Sequence, residues 1–336
     1  MEQTALPAEV SAQLGNIQRD ICRFLDAEQE GASAGAAGKG RLSDSSPHLV
    51  GALQHSFHGA GKLLRPSIVL LMARVCDKRP QGSQESDAFL ARSRSIAMVA
   101  ELIHAASLIH DDVIDDSPLR RSRPALWTLQ GNRKAVLVGD YILARATQLL
   151  CSVGDAKVIV ILAQIIEDLV RGEFQQLGGD SHDNDARLKQ YLDRIYKKTA
   201  SMFANGCKAV AVLSGVCSEA ETEAAFEFGL ATAPVLFACQ LLSSASPDAE
   251  CVEGGRRERL EEMIARRFSR PADAEAAALL VAQSGALPFT QNTAAAHAND
   301  AVTQLRLINA ESDSPMVRDC RAALERMTLQ QVTRDR

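Results

Sequence analysis

An all-α fold is what this sequence predicts, and three observations predict it. Apolar residues recur at three- and four-residue spacing in one segment after another. No segment sustains the apolar–polar alternation between turn signals that a half-buried strand would show. Composition leans the same way: only 4% of residues are aromatic, and alanine-rich runs such as PADAEAAALLVAQ favour helix over strand. With 336 residues, 46% of them hydrophobic, the chain can bury a large core, which excludes global disorder. A net charge of −5 excludes a nucleic-acid binder that relies on an overall basic field.

Taken in order, residues 8–30 carry helical spacing and predict one helix. The small, unpatterned GASAGAAGKGRLSDSSP (31–47) predicts a flexible loop. These two make an N-terminal part over 1–48, and one helical domain is expected over 49–336. RPSIVLLMARVC starts a helix with Pro66 near its beginning, where proline is tolerated. ARSRSIAMVAELIHAASLIHDDVIDD is a long, very apolar helix ending in acid. AVLVGDYILARATQLL, VIVILAQIIEDLVRGEFQQL and ARLKQYLDRIYKKTASMFANGCKAVAVLSG read as further helices, and the theme continues from 257 to 330. Between them, GGDSHDND (Asp180, Asp183, Asp185) lacks the glycine and terminal glutamate of a calcium loop and reads as a polar connection. GGRRER (254–259) reads as surface.

The longest uncharged run, Phe228 to Pro247, reaches membrane-spanning length, but Pro234, Gln240 and its Ser and Thr residues argue against a transmembrane helix. The start, MEQTALPAEV, has neither the apolar core of a signal peptide nor the arginines of a transit peptide. Eight scattered cysteines without a C-x-x-C read as reduced core residues. The expectation is a soluble protein of a reducing compartment, cytoplasmic by default, with a mitochondrial address left open should the N-terminus be incomplete.

The sharpest feature is ELIHAASLIHDDVIDDSPLRRSRP. Asp111 and Asp115 are four apart and would share a helix face, with Asp112 and Asp116 as a second such pair. Four carboxylates at a helix C-terminus repel one another and meet the wrong end of the dipole, so they call for cations. Carboxylates at this spacing suit Mg²⁺, which takes one or two of them together with waters and phosphate oxygens. Arg120, Arg121 and Arg123 follow, and Lys62 and Arg65 stand three apart in GKLLRP; such cations suit phosphate groups. Mg²⁺, phosphate and an apolar wall together suggest a diphosphate with a hydrocarbon tail.

GKLLRP, ELIHAASLIHDDVIDDSPLRR, AVLVGDYILARA, LVRGEFQQL, YKKTASMF and GLATAPVLFACQ are similar to the trans-polyprenyl diphosphate synthases, most of all the long-chain type that makes quinone side chains. The resemblance runs from about Leu49 to Asp335. It implies an antiparallel helix bundle around a central cavity, and a transferase that condenses isopentenyl diphosphate with an allylic diphosphate. It also implies Mg²⁺ on Asp111 and Asp115, with Asp112 in support. Arg120, Lys198 and Thr199 would bind the allylic diphosphate, Lys198 with a share in catalysis. Lys62, Arg65, His104 and Arg121 would hold isopentenyl diphosphate. Ala106 and Ser107, one turn below the carboxylates, would form the floor that sets chain length. As partners it implies a second copy or a related synthase subunit, with no nucleic acid and no transmembrane segment.

The sequence departs from this family at one place that matters. Between Gly229 and Leu230 the family carries a helix ending in a second aspartate-rich motif and a loop; here AAFEFG runs straight into LATAPVLFACQ. No Asp-Asp pair follows Asp116. Smaller departures are Ala60 and Leu63 around Lys62, and Ser122 in place of the glycine after the arginine pair. Two readings follow: an active condensing enzyme, or a catalytically weak or shortened chain that associates with an active synthase.

Overall fold

The computed structural model describes residues 6–26, 47–57, 63–120, 122–178, 184–243, 259, 262–263, 266, 269–270, 272–283 and 286–332. Residues 31–46 of the expected loop 31–47, residues 179–183 of GGDSHDND and most of GGRRER lie outside them, as do Lys62 and Arg121; Pro47 opens a helix instead.

The described residues form helices α1 (Ala8–Asp26), α2 (Pro47–Phe57), α3 (Leu64–Cys76), α4 (Gln84–Ile114), α5 (Leu126–Gln130), α6 (Asn132–Ser152), α7 (Ala156–Leu177) and α8 (Asn184–Ile195). A π-helical turn (Tyr196–Ala200) joins α8 to α9 (Ser201–Ser214), and α10 (Glu219–Ser243), α11 (Asp273–Gln283), α12 (Ala286–Leu307) and α13 (Pro315–Val332) follow. The all-α reading therefore holds. One small addition is a two-residue antiparallel ladder, β1 (Leu119–Arg120) with β2 (Arg123–Pro124), pairing Arg120 with Arg123. A ladder this short leaves no periodic trace in a sequence. At its tip Ser122 takes φ +63°, a conformation that favours glycine.

Two helices form the centre. In α3, Pro66 to Ala73, Val75 and Cys76 are all buried, and α9 buries nearly every residue. A helix that is apolar all round must sit inside, and both do: α3 packs on α4, α9 and α13, and α9 packs on α7 and α10. The outer helices show one apolar stripe instead. Val10, Leu14, Ile17, Ile21 and Leu25 of α1 repeat every three or four residues and join the same core, so the N-terminal helix is part of the bundle. Helix α1 is described to Asp26, four residues short of the expected end.

Start signals fix the two helices that build the site. Ser83 caps α4 by accepting the Ser86 amide, with Glu85 and Asp87 in the first turn. Asp155 caps α7 by accepting the amides of Lys157 and Val158 at 2.9 and 3.1 Å. Asn184 and Asp185, expected in a loop, open α8. Among the described residues, no helix is long and apolar enough to cross a membrane, and the six described cysteines are free thiols.

Helix α10 runs unbroken through the Gly229–Leu230 junction. At the crossing with α9, a Cβ on Gly229 would stand 2.5 Å from the Phe203 carbonyl oxygen and 2.7 Å from the Ala204 Cα. Only glycine permits so close an approach of two backbones.

The start of α10 ties three turns together at one end of the bundle. Ser218 and Glu221 form a reciprocal capping box, with amide contacts of 2.8 and 3.2 Å. Glu221 also accepts from Lys78 at 2.7 Å and from the Asn309 amide at 2.8 Å, while Asn309 Nδ2 donates to the Val75 carbonyl. Burial works against the Glu221 carboxylate, but Lys78 and the amides of Ser218 and Asn309 overcome it and hold its pKa down to about 2. A depressed carboxylate stabilises the fold at pH values above its unfolded pKa, and that contribution is lost as pH falls from about 4.5 towards about 2. Glu221→Gln should flatten the decline of Tm across that window; a decline as steep as the wild type's would show that acid sensitivity arises elsewhere.

Candidate functional site

The acidic sequence falls across the end of α4, and the helix boundary sorts its members. Asp111 lies in the last turn, and Asp115 is the residue that caps it, its amide donating to the Asp111 carbonyl at 2.8 Å. Asp116 has left the helix at φ +50°, so the expected Asp112–Asp116 pair does not form. Asp112 points elsewhere. It is 7% exposed and receives the Arg120 guanidinium in a two-pronged grip, Nε at 3.1 Å to both oxygens and Nη2 at 2.7 Å. Arg120 also reaches the Leu108 carbonyl. The pair thus pins the β1–β2 hairpin to the end of α4, and both groups are spoken for before any ligand arrives.

Asp111 faces a cavity of about 360 Å³. Arg65 of α3 lines it, together with His104, Ser107 and Leu108 of α4 and Leu169, Glu173 and Gln176 of α7. Tyr191, Arg194 and Ile195 of α8 and Lys198 and Thr199 of the π turn complete the wall. A chain of contacts crosses it: Lys198 Nζ meets Glu173 Oε2 at 2.5 Å and donates to Gln176 Oε1 at 2.9 Å, and Gln176 Nε2 donates to Asp115 Oδ1 at 3.5 Å. The lysine and Asp115 are therefore linked through Gln176 along the cavity wall. Arg65 packs over the Phe203 ring, 5.5 Å from its centre. The neighbouring Lys197 takes a different partner, Asp193, at 2.6 Å.

Helix α7 supplies its side of the cavity because Ile165, Asp168, Gly172, Glu173 and Gln176 follow at helical spacing on one face. Gly172 matters for contact with the π turn. A Cβ there would meet Lys198 Cγ at 2.8 Å and Lys197 Cβ at 3.1 Å, so its absence lets the lysine lie along α7 and reach Glu173. Just below, a buried polar network fixes the two helices against each other. Gln164 donates to Asp168 at 3.0 Å, the Ser201 hydroxyl donates to the other Asp168 oxygen, and Asn205 donates to Ser201. Buried polar groups satisfied in this way specify one arrangement. π turns of this kind often accompany functional sites.

Burial pushes the Asp111 carboxyl up to about 6; Lys198 pulls it down, Glu173 and Asp115 add to the rise, and Arg120 opposes it. A carboxylate held at such a cost is what a cation would relieve. Among the described residues no three of His, Cys, Asp and Glu converge into a closed metal cage. The donors fit a hard cation of the Mg²⁺ kind, which takes one or two carboxylates and leaves the remaining positions to water and phosphate. Asp111, on the cavity wall, and Asp115, joined to it through Gln176, are the two carboxylates of the acidic run that could serve such an ion.

Six expected residues line the cavity together: Arg65, His104, Ser107, Asp111, Lys198 and Thr199. Asp115 joins through Gln176. Of the two floor positions, Ser107 is on the cavity wall, whereas Ala106 is fully buried in the hydrophobic core, one residue and about 100° further round. Glu173, Gln176, Tyr191 and Arg194 were not singled out from the sequence. The signal that could have found the first two is the shared helix face with Gly172 in LVRGEFQQL.

A polyprenyl synthetase family profile matches residues 46–240. The all trans-polyprenyl-diphosphate synthase of Mus musculus is 37% identical over 328 residues, which span 88% of this chain and 74% of the relative. The mitochondrial solanesyl-diphosphate synthase 1 of Oryza sativa is 32% identical over 330 residues, 86% of this chain and 73% of the relative. Among solved structures, the polyprenyl synthase of Caulobacter crescentus, complexed with calcium and isoprenyl diphosphate, superposes with a TM-score of 0.75 at 28% identity, covering 97% of this chain and 96% of that one. The decaprenyl diphosphate synthase of Rhodobacter capsulatus gives 0.76 at 24% identity and 98% coverage of both chains, a likeness of fold.

Proposed function

Because the chain belongs to the polyprenyl synthetase family, we propose that its cavity binds an allylic diphosphate and condenses it with isopentenyl diphosphate into a long all-trans chain, of the kind that quinones carry. The observation that carries this reading is the facing of Asp111 and Lys198 across one cavity, with apolar Leu108, Leu169 and Ile195 beside them. Asp111 and Asp115 would hold Mg²⁺. When bound, that ion neutralises the diphosphate and makes it a leaving group.

The remaining work falls to this chain's own side chains. Lys198 and Thr199 would receive the departing diphosphate, fixed charge placed where negative charge develops. Arg65 and His104, with Lys62 and Arg121, would hold isopentenyl diphosphate so that its double bond meets the allylic carbon. Arg120 would act on the allylic side through the Asp112 pair that sets the hairpin. Leu108, Leu169 and Ile195 would screen the cationic carbon from water until a proton is lost. Ser107, small and on the wall, would leave the path of the growing tail open.

A second reading rests on one specific observation: beyond Gly229, α10 carries no acidic residue, so nothing on that helix replaces the absent aspartates. Diphosphate would then be held from one side, and turnover of the chain alone would be slow. A second copy or a related synthase chain is the partner we assign, and a mitochondrial setting would match the rice relative. One experiment tests both readings: purified protein with Mg²⁺, radiolabelled isopentenyl diphosphate and an allylic primer, with and without a full-length synthase. We expect turnover alone far below the ~10 per second of an ordinary enzyme, and long products where product forms. Ser107→Phe should shorten them, since a ring fills space that a packed interior does not absorb. Ordinary turnover by the chain alone would remove the second reading, and product of unchanged length from the variant would move the floor away from Ser107.

A further inference from the structure

Glu173 has an unusual position for a carboxylate in a site meant for anions. It is 9% exposed, on the α7 wall of the cavity, and only one of its oxygens is engaged, Oε2 with Lys198 at 2.5 Å. The other oxygen, Oε1, is buried and has no hydrogen-bond partner among the described residues. Lys198 in turn divides itself between Glu173 and Gln176, which is tied to Asp115. The space left by Gly172 makes this grip close.

We propose that Glu173 makes diphosphate binding conditional on the divalent cation, acting as a positioning residue through Lys198. The inference rests on the diphosphate reading of the cavity. In the protein without ligand, the lysine ammonium is neutralised by Glu173. An incoming diphosphate that takes the lysine strips Glu173 of its close ion pair and leaves a buried carboxylate without that counter-charge, beside further negative charge. Removing one partner from a buried ion pair is costly because of the charge left behind. A cation that arrives with the diphosphate on Asp111 brings positive charge to the same cavity and offsets that cost. Glu173 therefore penalises the metal-free anion and spares the metal-bound one. It prevents the lysine from being occupied by any free phosphate that wanders in.

The expected sign is opposite to that of an ordinary contact. Glu173→Gln keeps the size and a polar contact to Lys198 but removes the charge, so metal-free affinity should rise. The test is calorimetric titration of the full chain with inorganic pyrophosphate, once with a chelator and once at saturating Mg²⁺. For Glu173→Gln we expect metal-free affinity about tenfold higher and Mg²⁺-bound affinity changed less than about threefold, a difference equal to one charge interaction of modest size. Glu173→Asp, which keeps the charge, should retain the wild-type ratio between the two conditions. Affinity at saturating Mg²⁺ also reports that each variant is folded. A wild-type ratio in Glu173→Gln, or weaker binding in both conditions, would overturn the role of Glu173 alone. Wild-type protein that ignores pyrophosphate even at saturating Mg²⁺ would overturn the diphosphate reading and this inference with it.

Discussion

Asp111→Ala is expected to lower the Mg²⁺-dependent affinity for an allylic diphosphate analogue by about 100-fold or more. Groups that only orient a metal ligand cost roughly 10–100-fold when removed, and Asp111 is read as a ligand itself. It is the carboxylate of the acidic run that lines the cavity, so no neighbour takes its place: Asp112 is held by Arg120. Asp115→Ala should act in the same direction. Asp112→Ala should behave differently, loosening the hairpin and lowering stability, because it unpairs a guanidinium that the fold has already buried in part. Titration with and without a chelator separates these outcomes. Unchanged Mg²⁺-dependent affinity in Asp111→Ala would sink the metal reading of the α4 end.

The largest effect on stability should come from Gly229→Ala. The added methyl would meet the carbonyl of Phe203 and the Cα of Ala204 at 2.5–2.7 Å. These are backbone atoms of a fully packed helix and cannot swing aside, so α9 and α10 must separate. Overpacking of this kind costs about 3 kcal/mol at the upper end of its usual range, which for a chain of this size lowers Tm by about 4 °C. Thermal unfolding measures it. A variant as stable as the wild type would mean that the two helices do not cross at this residue.

Much of the fold was legible because burial imposes its period on a helix. The stripe Val10–Leu14–Ile17–Ile21–Leu25 can be read directly, and the all-round apolar α3 announces its place in the centre. The site was legible where it is local. Asp111 and Asp115 stand in one short run, and Lys198–Thr199 in another. What could not be read is what depends on where a helix stops or on which helices meet. The i, i+4 rule gave Asp112 and Asp116 as neighbours, but the helix ends at Ile114 and the rule ends with it. The resemblance implied Ala106 and Ser107 as one floor, although adjacent residues on a helix face different ways. Glu173 and Gln176 acquire meaning only because α7 is laid beside the lysines of a distant segment. That is a matter of tertiary contact, which single-sequence spacing does not carry.

The π turn at Tyr196–Ala200 also acts as a phase setting. A chain that winds at 3.6 residues per turn advances about 100° with each residue, and a turn with one residue too many leaves the segments on its two sides out of step by that amount. Helix α9 is locked rotationally by the Asp168–Ser201–Asn205 network. The face that α8 turns towards the cavity, with Tyr191, Arg194 and Ile195, is therefore decided by the extra residue as well as by the side chains. Substitutions in α8 exchange one group for another at a fixed angle. Loss or gain of one residue in the turn would rotate the whole set like the dial of a combination lock, leaving the helix intact and presenting a different face to the substrate.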